Sequence, residues 1–326
     1  MSTFDNTSTM NNTTMSTAGT DYKQRAKSAL VKRTVRALVA LPGINPVVVA
    51  ILQALPEKSW RSRIPVLGSG SLKLQDDESV EMLRADHCDV AKELYWGQGA
   101  LHSPCDRLAL NLAIGLSSDA DVFLDIGAYT GLFALAVARK NPDIRCDAYE
   151  IVPENFQLMW QNTIANNLVL RVMPKLLGLG AATGSLNVPA SLGSGTLASS
   201  VALDSVAPDG VAIPVAALDD VYKEFTGKMV IKIDVEGFEW AVFSGGQKLL
   251  RSVKPDMVCE VLRRAPNIPE MQAFLEAAGY RHFHITNKGL LPSKKIVPVK
   301  NERDWLFTTR TAAELSALGY TVLDEV

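Results

Sequence analysis

The chain has 326 residues, of which 47% are hydrophobic and 7% aromatic, so it can bury a sizeable core. Its 33 Lys and Arg residues nearly balance its 35 Asp and Glu residues, leaving a net charge of −2. That balance argues against a protein that binds nucleic acid over its whole surface. The four cysteines are scattered without a C-x-x-C pair, which argues against a zinc site or a disulfide framework and favours a reducing cytoplasm.

The first twenty residues are rich in Ser, Thr, Asn and Met and carry one charged side chain, Asp5. Few residues there could join a core, so we predict a disordered tail over 1–20. The segment lacks the basic start and the apolar run of a signal peptide, which fits a cytoplasmic protein.

Residues 21–115 are predicted to form an N-terminal helical extension and a lid. Between residues 23 and 63 there are nine Lys or Arg residues and one acid, and apolar residues recur at helical spacing. Two interpretations stay open for this segment: peripheral contact with a membrane surface, or a cap helix lying on the catalytic domain. A spanning helix is not expected, because Pro42, Gly43 and Pro46 interrupt the uncharged run.

From residue 121 onward, apolar strands alternate with amphipathic helices, which predicts a doubly wound, mostly parallel α/β sheet. The predicted strands are 122–126, 144–149, 169–176, 228–234 and 256–262, with strands near 280–286 and 304–309 as an antiparallel edge. The predicted helices are 130–140, 153–167, 238–250 and 267–278. Residues 178–214, rich in Gly, Ser, Ala and Pro, are expected to form a hairpin excursion with a mobile loop near 191–200.

Two helices have clear apolar stripes, and the lid contains two adjacent aromatic residues. The buried stripe of helix 153–167 is predicted to be Phe156, Met159, Trp160, Thr163 and Ile164. That of helix 267–278 is predicted to be Ile268, Met271, Phe274, Leu275 and Ala278. In the lid, Tyr95 and Trp96 could stack on an adenine or serve as ordinary packing residues.

The most informative stretch is 122–131, where an apolar strand reaches Asp125 and continues into a Gly127-x-x-x-Gly131 turn before an Ala-rich helix. Gly127 allows a sharp turn and leaves room for a ligand against the main chain. The next strand ends in Glu150, and a carboxylate there can accept hydrogen bonds from both hydroxyls of a ribose. This layout predicts a nucleotide site at the carboxyl ends of parallel strands.

This turn differs from the G-x-G-x-x-G motif of dinucleotide-binding proteins, because Tyr129 stands where the second glycine would be. The diphosphate of NAD needs a bare backbone at that position, whereas S-adenosylmethionine has no phosphate. S-adenosylmethionine is therefore the predicted cofactor, and an NAD-dependent oxidoreductase is the less favoured alternative.

Further acids follow the later strands: Asp234 and Glu236 end one of them, and Glu260 lies within the next. Because acids are costly to bury without partners, their shared location at strand ends predicts a polar site. Each acid also has a local interpretation. Asp125 could merely brace the glycine turn, and Glu260 could pair with a neighbouring arginine.

Three segments carry a family resemblance: Asp125–Gly131, Ala148–Phe156 and Ile231–Glu239, with further likeness at Ala217–Val221 and Asp304–Phe307. In order and spacing they resemble the FkbM family of S-adenosylmethionine-dependent methyltransferases. The resemblance implies a Rossmann-like methyltransferase domain over 116–312, followed by a C-terminal segment, 313–326.

The resemblance also implies methyl transfer to a hydroxyl of a small molecule, or of a sugar or glycan. The expected cofactor contacts are Asp125 near the methionine amino end, the backbone of Gly127, Ala128, Tyr129 and Gly131 along the adenosyl part, and Glu150 on the ribose. Asp234 is the first choice for the base or orienting carboxylate and Glu236 the second, and no metal is predicted. A non-catalytic, methyltransferase-like binding or membrane-associated scaffold is the remaining alternative.

Overall fold

The computed structural model describes residues 41, 43–54, 64, 66–188, 210–263 and 265–324. The predicted tail, most of the basic segment 23–63 and the predicted mobile loop near 191–200 lie outside these residues. The chain divides into two compact units, Met1–Leu67 and Gly68–Val326. Among the residues described, no helix is both long and apolar enough to traverse a lipid bilayer.

The described part of the first unit is built around helix α1 (Asn45–Ala54). Its Asn45 is buried and its side-chain oxygen accepts a hydrogen bond of 3.0 Å from the Leu67 N–H. Val49 is buried, whereas Val47 and Ile51 are each 58% exposed. The helix therefore has apolar side chains on its exposed side as well as on its buried side.

The second unit contains the central sheet and its covering helices. Its strands are β1 (Gly70–Lys73), β2 (Ser79–Met82), β3 (Val122–Ile126), β4 (Arg145–Glu150), β5 (Val172–Leu176), β6 (Gly178–Leu179), β7 (Gly184–Val188), β8 (Val211–Ala216), β9 (Met229–Ile233), β10 (Asp256–Glu260), β11 (Arg281–Thr286), β12 (Gly289–Pro292) and β13 (Asp304–Thr308). Its helices are α2 (Asp89–Trp96), α3 (Pro104–Leu116), α4 (Leu132–Lys140), α5 (Pro153–Ala165), α6 (Leu218–Val221), α7 (Glu239–Ser244), α8 (Gln247–Val253), α9 (Ile268–Ala277) and α10 (Ala312–Ala317).

Eight strands form the central sheet in the order β12-β11-β13-β10-β9-β3-β4-β5. The run from β10 to β5 is parallel, and β13 enters antiparallel between β10 and β11. This confirms the predicted doubly wound, mostly parallel α/β fold, although the outermost antiparallel strand is β12, which the sequence analysis did not identify. The strand order changes direction between β3 and β9, and such a switch point opens a crevice at the carboxyl ends of the strands.

Strand alternation divides the side chains of the sheet between two faces. Leu124, Ile231 and Met257 belong to the large apolar core on one face. Helices α3 and α4 pack on the other face, which carries Asp125 and Lys232, adjacent in the register of β3 and β9. We call this second face the polar face of the sheet.

Two predicted elements differ from the structure. The predicted helix 238–250 is split into α7 and α8 at Gly245 and Gly246. A Cβ atom on residue 245 would lie 2.0 Å from the Gly180 main-chain oxygen, so this point must be a glycine. Residues 70–82, within the predicted helical extension and lid, form the antiparallel hairpin of β1 and β2, and this hairpin belongs to the compact unit Gly68–Val326.

The predicted apolar stripe of α5 is wrong at two positions. Trp160 and Ile164 are 43% and 51% exposed, although Met159 is fully buried. The asparagines at 162 and 166 are buried instead, because their side-chain oxygens accept hydrogen bonds from main-chain N–H groups in and just after β2. Hydrogen bonding to the hairpin therefore sets which side of α5 faces inward. The predicted stripe of α9 is found as expected, with Met271, Phe274 and Leu275 in the core.

Candidate active site

The turn after β3 depends on two glycines with positive φ, Gly127 at 79° and Gly131 at 89°. A Cβ atom on residue 127 would lie 1.8 Å from the Asp234 main-chain oxygen, so no other residue fits without movement. The N–H groups of Gly127 and Ala128 donate to the Tyr149 oxygen at 3.0 and 2.9 Å. The turn is thus held between the ends of β4 and β9.

Glu150 lies at the end of β4 and is 6% exposed. Its Oε1 accepts hydrogen bonds of 2.7 Å from the N–H groups of Ile151 and Val152, which fix the orientation of the carboxyl group. Burial raises the pKa of Glu150 to about 7, against the opposing effect of these hydrogen bonds. A carboxyl group fixed in this way can serve as an acceptor for ligand hydroxyls.

A cavity of about 440 Å³ opens at the switch point, beside the glycine turn. Gly127, Tyr129, Glu150, Asp234 and Glu236 line its polar end. Apolar side chains form much of the remaining wall, from the small sheet β6-β8-β7 and from the segment leading into α7: Leu179, Leu186, Val215, Val235 and Phe238. The cavity therefore offers an apolar slot next to a row of carboxyl groups.

Asp125 lies on the polar face and is 2% exposed. Its Oδ2 accepts a hydrogen bond of 3.0 Å from the Ala134 N–H in the first turn of α4, and it does not line the cavity. Burial raises the pKa of Asp125 to about 6, although Lys232 opposes the shift. The structure thus gives Asp125 the bracing contact that its local interpretation predicts.

Tyr129 adopts the left-handed region, with φ of 51°. This residue lines the cavity, and its hydroxyl accepts a hydrogen bond of 3.5 Å from the Asp89 N–H at the start of α2. Tyr95 and Trp96, further along α2, do not line this cavity, and Trp96 is 7% exposed with an edge-to-face contact to Tyr95 at 5.4 Å. This geometry favours the packing interpretation for that pair.

Strand pairing continues past β9, because the Asp234 N–H donates to the Ile126 oxygen at 2.9 Å. The chain then reverses at Glu236, where φ is 53°. Oxygen atoms from the carboxyl groups of Asp234, Glu236 and Glu260 lie within 4.8 Å of one another. Three of the acids predicted at strand ends are therefore close together, and the prediction of no metal stays a prediction.

Lys232 is a site residue to which the sequence analysis assigned no role. It is 4% exposed in the middle of β9, and its Nζ lies 3.2 Å from Asp234 Oδ2. Burial alone would raise the pKa of Asp234, but the charge of Lys232, together with the neighbouring Glu260 side chain, holds that pKa below its usual value. The sequence does contain one indication of this role, because Lys232 is a charged residue within an otherwise apolar strand.

Residues 125–282 match the family model described as the methyltransferase FkbM domain. This match contains the glycine turn, Glu150, Lys232 and the three clustered acids. This part of the chain is thus similar to the methyltransferase FkbM domain. The resemblance seen in the sequence is confirmed, and so is the prediction of a methyltransferase that uses S-adenosylmethionine.

Individual relatives of the FkbM domain are distant. Methyltransferase sdnD of Sordaria araneosa is 26% identical in a comparison over 187 residues, and the match covers 48% of this chain and 72% of that protein. The crystal structure of a methyltransferase FkbM from Methylobacillus flagellatus KT is 18% identical with a TM-score of 0.40, covering 58% of this chain and 44% of that one. A SAM-dependent O-methyltransferase from Thermotoga maritima is 12% identical with a TM-score of 0.34, covering 70% of this chain and 68% of that one. This chain thus spans less than half the length of the FkbM structure.

The residues of the FkbM site fit S-adenosylmethionine. The main chain of Gly127 lines the cavity without a side chain, and Glu150 offers a buried acceptor for a diol. The apolar wall suits an aromatic base. Tyr129, at the position where a diphosphate would need glycine, is compatible with a cofactor that has no phosphate.

Proposed function

We propose that this FkbM domain transfers a methyl group from S-adenosylmethionine to a hydroxyl of a small molecule, or of a sugar or glycan. The observation that carries this proposal is the position of Asp234, a carboxylate with a lowered pKa that lines the cavity and is 38% exposed. A hydroxyl that attacks a methyl group needs a group to orient it and to accept its proton. The methyltransferase domain is proposed to extend over 116–312.

The proposed cofactor contacts follow the geometry of the turn. When bound, the cofactor supplies an electrophilic methyl group on a sulfonium. Glu150 accepts hydrogen bonds from the ribose hydroxyls, and the backbone of Gly127, Ala128, Tyr129 and Gly131 lies along the adenosyl part. Asp125 acts toward the methionine amino end through its charge, since one of its oxygens is already bonded to Ala134.

Asp234 is the group proposed to bind and orient the hydroxyl of the acceptor, and Glu236 is the second choice. Because its pKa is lowered, Asp234 is ionised at neutral pH and is a weak base. Its main task is therefore to orient the hydroxyl. The hydroxyl proton becomes acidic enough to move to Asp234 only as the new oxygen–carbon bond forms. Since methyl transfer is an in-line displacement, orientation supplies much of the rate enhancement.

The test begins with calorimetric titration of S-adenosylmethionine and of its demethylated product into the full chain. Labelled S-adenosylmethionine is then incubated with hydroxylated metabolites and sugars, and label uptake is measured for wild type, Asp234→Asn and Glu236→Gln. We expect cofactor binding in all three and a loss of turnover of about 100-fold or more in Asp234→Asn. Glu270→Gln, an exposed acid on α9, is the matched control. Absence of cofactor binding, or full turnover in Asp234→Asn, would refute the proposal.

We also propose peripheral membrane contact through residues 23–63. The supporting observation is that Leu41, Ile44, Val47 and Ile51 are each more than 40% exposed, in a segment with nine basic residues and one acid. Flotation of the full chain with anionic phosphatidylserine vesicles tests this, with Val47→Asp and Ile51→Asp expected to reduce binding. A wild-type chain that stays unbound would instead support the cap-helix interpretation.

A further inference from the structure

Lys232 lies among four acidic side chains on the polar face of the sheet. Its Nζ is 3.2 Å from Asp234 and 5.1 Å from the centre of the Phe133 ring. Burial alone would lower the pKa of Lys232, but the charges of four acids raise it above its usual value: Asp234, Asp304, Asp125 and Glu260. Lys232 is therefore a permanently charged ammonium group beneath the rim of the active site.

Glu260 is the acid whose hydrogen bonding is incomplete. It is 7% exposed, and its Oε1 is 3.0 Å from the Arg303 guanidinium. Its Oε2 is fully buried and has no donor, although an oxygen of Asp234 lies within 4.8 Å of this carboxyl group. Two carboxylates this close, with no donor between them, are unfavourable unless a proton or a cation lies between them.

We infer that Lys232 and Glu260 are positioning residues for Asp234: the ammonium group holds it ionised, and Glu260, as a neutral carboxylic acid, donates a hydrogen bond to it. One proton then satisfies both carboxyl groups, and Lys232 balances the remaining negative charge. Burial, together with the charge of Asp234, raises the pKa of Glu260, which agrees with this assignment. Asp234 is left with its cavity-facing lone pairs free for a hydroxyl.

Other charged groups face this cluster from neighbouring strands, and they are consistent with the assignment. Asp304 lies opposite Glu260 in the register of β13, and Arg303 precedes it. Asp125 lies opposite Lys232 on β3, and Glu236 follows Asp234 in the reversing chain. Five acids thus share two basic side chains, so at least one acid at this rim gains by keeping its proton.

Infrared spectroscopy tests the shared proton directly, because a carboxylic acid has a carbonyl stretching band that ionised carboxylates lack. The spectrum is recorded at pH 8.5, where Asp125 and Asp304, with pKa values of about 6, are ionised. Glu150 and Glu239, with pKa values of about 7, are largely ionised there as well. We expect a carboxylic acid band in the wild type and its loss in Glu260→Gln.

Lysine variants test the role of the ammonium group. Lys232→Met should increase the acid band about twofold, because Asp234 loses its counter-charge and takes up a proton, whereas Lys232→Arg should leave the band unchanged. Lys228→Met, at a lysine whose side chain is 69% exposed in a surface pair, is the control and should match the wild type. If Lys232→Met does not fold, Glu260→Gln and Lys232→Arg still decide the question.

Three results would overturn the inference. They are a wild-type spectrum without the band at pH 8.5, a band that persists in Glu260→Gln, and saturable Mg²⁺ binding that abolishes the band. The last would place a cation rather than a proton between the acids.

The expected effect of Lys232 on turnover rests on the proposed function, whereas the infrared result does not depend on it. With an acceptor found by label uptake, Lys232→Met should lower kcat by tenfold or more. The Kd of the demethylated cofactor should stay within about twofold. An unchanged kcat together with the expected spectra would refute the positioning role of Lys232 but would still support a proton shared by Glu260 and Asp234.

Discussion

The main chain of Gly127 contacts the main-chain oxygen of Asp234 so closely that a Cβ atom on residue 127 would lie 1.8 Å from it. The two residues directly follow β3 and β9, the strands on either side of the switch point. The turn that is proposed to bind the cofactor and the carboxylate that is proposed to bind the acceptor are therefore in direct backbone contact. A change at either residue should affect both halves of the site.

Gly127→Ala should destabilise the chain by about 3 kcal/mol, because it combines a positive φ with a backbone clash. It should also weaken binding of the demethylated cofactor by at least tenfold. Urea unfolding and calorimetry measure the two effects. Gly184→Ala is the matched control, since that glycine also lines the cavity but a Cβ there would have nothing within 4 Å. Equal stability and equal affinity in Gly127→Ala would contradict the tight contact.

Glu150→Ala should weaken cofactor binding by about 10- to 100-fold, because hydrogen bonds to a charged acceptor contribute about 1.5–3 kcal/mol each. Glu150→Gln should bind with intermediate affinity, since its amide oxygen can still accept from the Ile151 and Val152 N–H groups. Calorimetric titration of S-adenosylmethionine measures both, with Glu270→Ala as the exposed control. Unchanged affinity in Glu150→Ala would refute the ribose contact.

Asp125→Asn separates the bracing role of this residue from its proposed role toward the cofactor. An asparagine oxygen can still accept the Ala134 N–H, so urea unfolding should show a stability within about 1 kcal/mol of the wild type. Loss of the negative charge should weaken S-adenosylmethionine binding by about tenfold. Unchanged binding would assign Asp125 to the brace alone.

The sequence predicted the parts of the site that depend on local backbone chemistry. The glycine turn, Glu150 and Asp234 each follow an apolar strand directly, so strand ends and side-chain types could be read together. The β1-β2 hairpin was missed because its strands are four residues each and its contacts to α5 are made by Asn162 and Asn166, distant in sequence.

Lys232, the partner of Asp234, could not be recognised from the sequence for a similar reason. Lys232 stands within the strand used to predict the acids, but its importance depends on which face of the sheet Glu260 and Asp304 share. That placement follows from the insertion of β13 beside β10, a long-range pairing that no local pattern encodes. The burial of His282 and His284 has the same origin, because both lie beside the inserted strand.

The stability of the chain should depend on pH with an unusual sign. Burial raises the pKa of Glu150 and Glu239 to about 7, and that of Asp125 and Asp304 to about 6. The unfolded chain titrates these groups near their ordinary values of about 4. Between about pH 4.5 and 7 the folded state therefore binds more protons than the unfolded state, so the free energy of unfolding should fall as pH rises through this range.

Glu239→Gln should reduce that slope. The side chain is 1% exposed; its Oε1 accepts from the Gly237 N–H at 2.8 Å, and its Oε2 is buried without a donor. Removing this one titrating group should flatten the dependence by up to about 1.4 kcal/mol per pH unit. Urea unfolding at pH 5, 6, 7 and 8 measures it, with Glu270→Gln expected to follow the wild type. If the wild type instead became more stable between pH 5 and 7, the acids with raised pKa values would not dominate the pH dependence. The lowered pKa of Asp234 acts in the opposite direction, but only at more acidic pH.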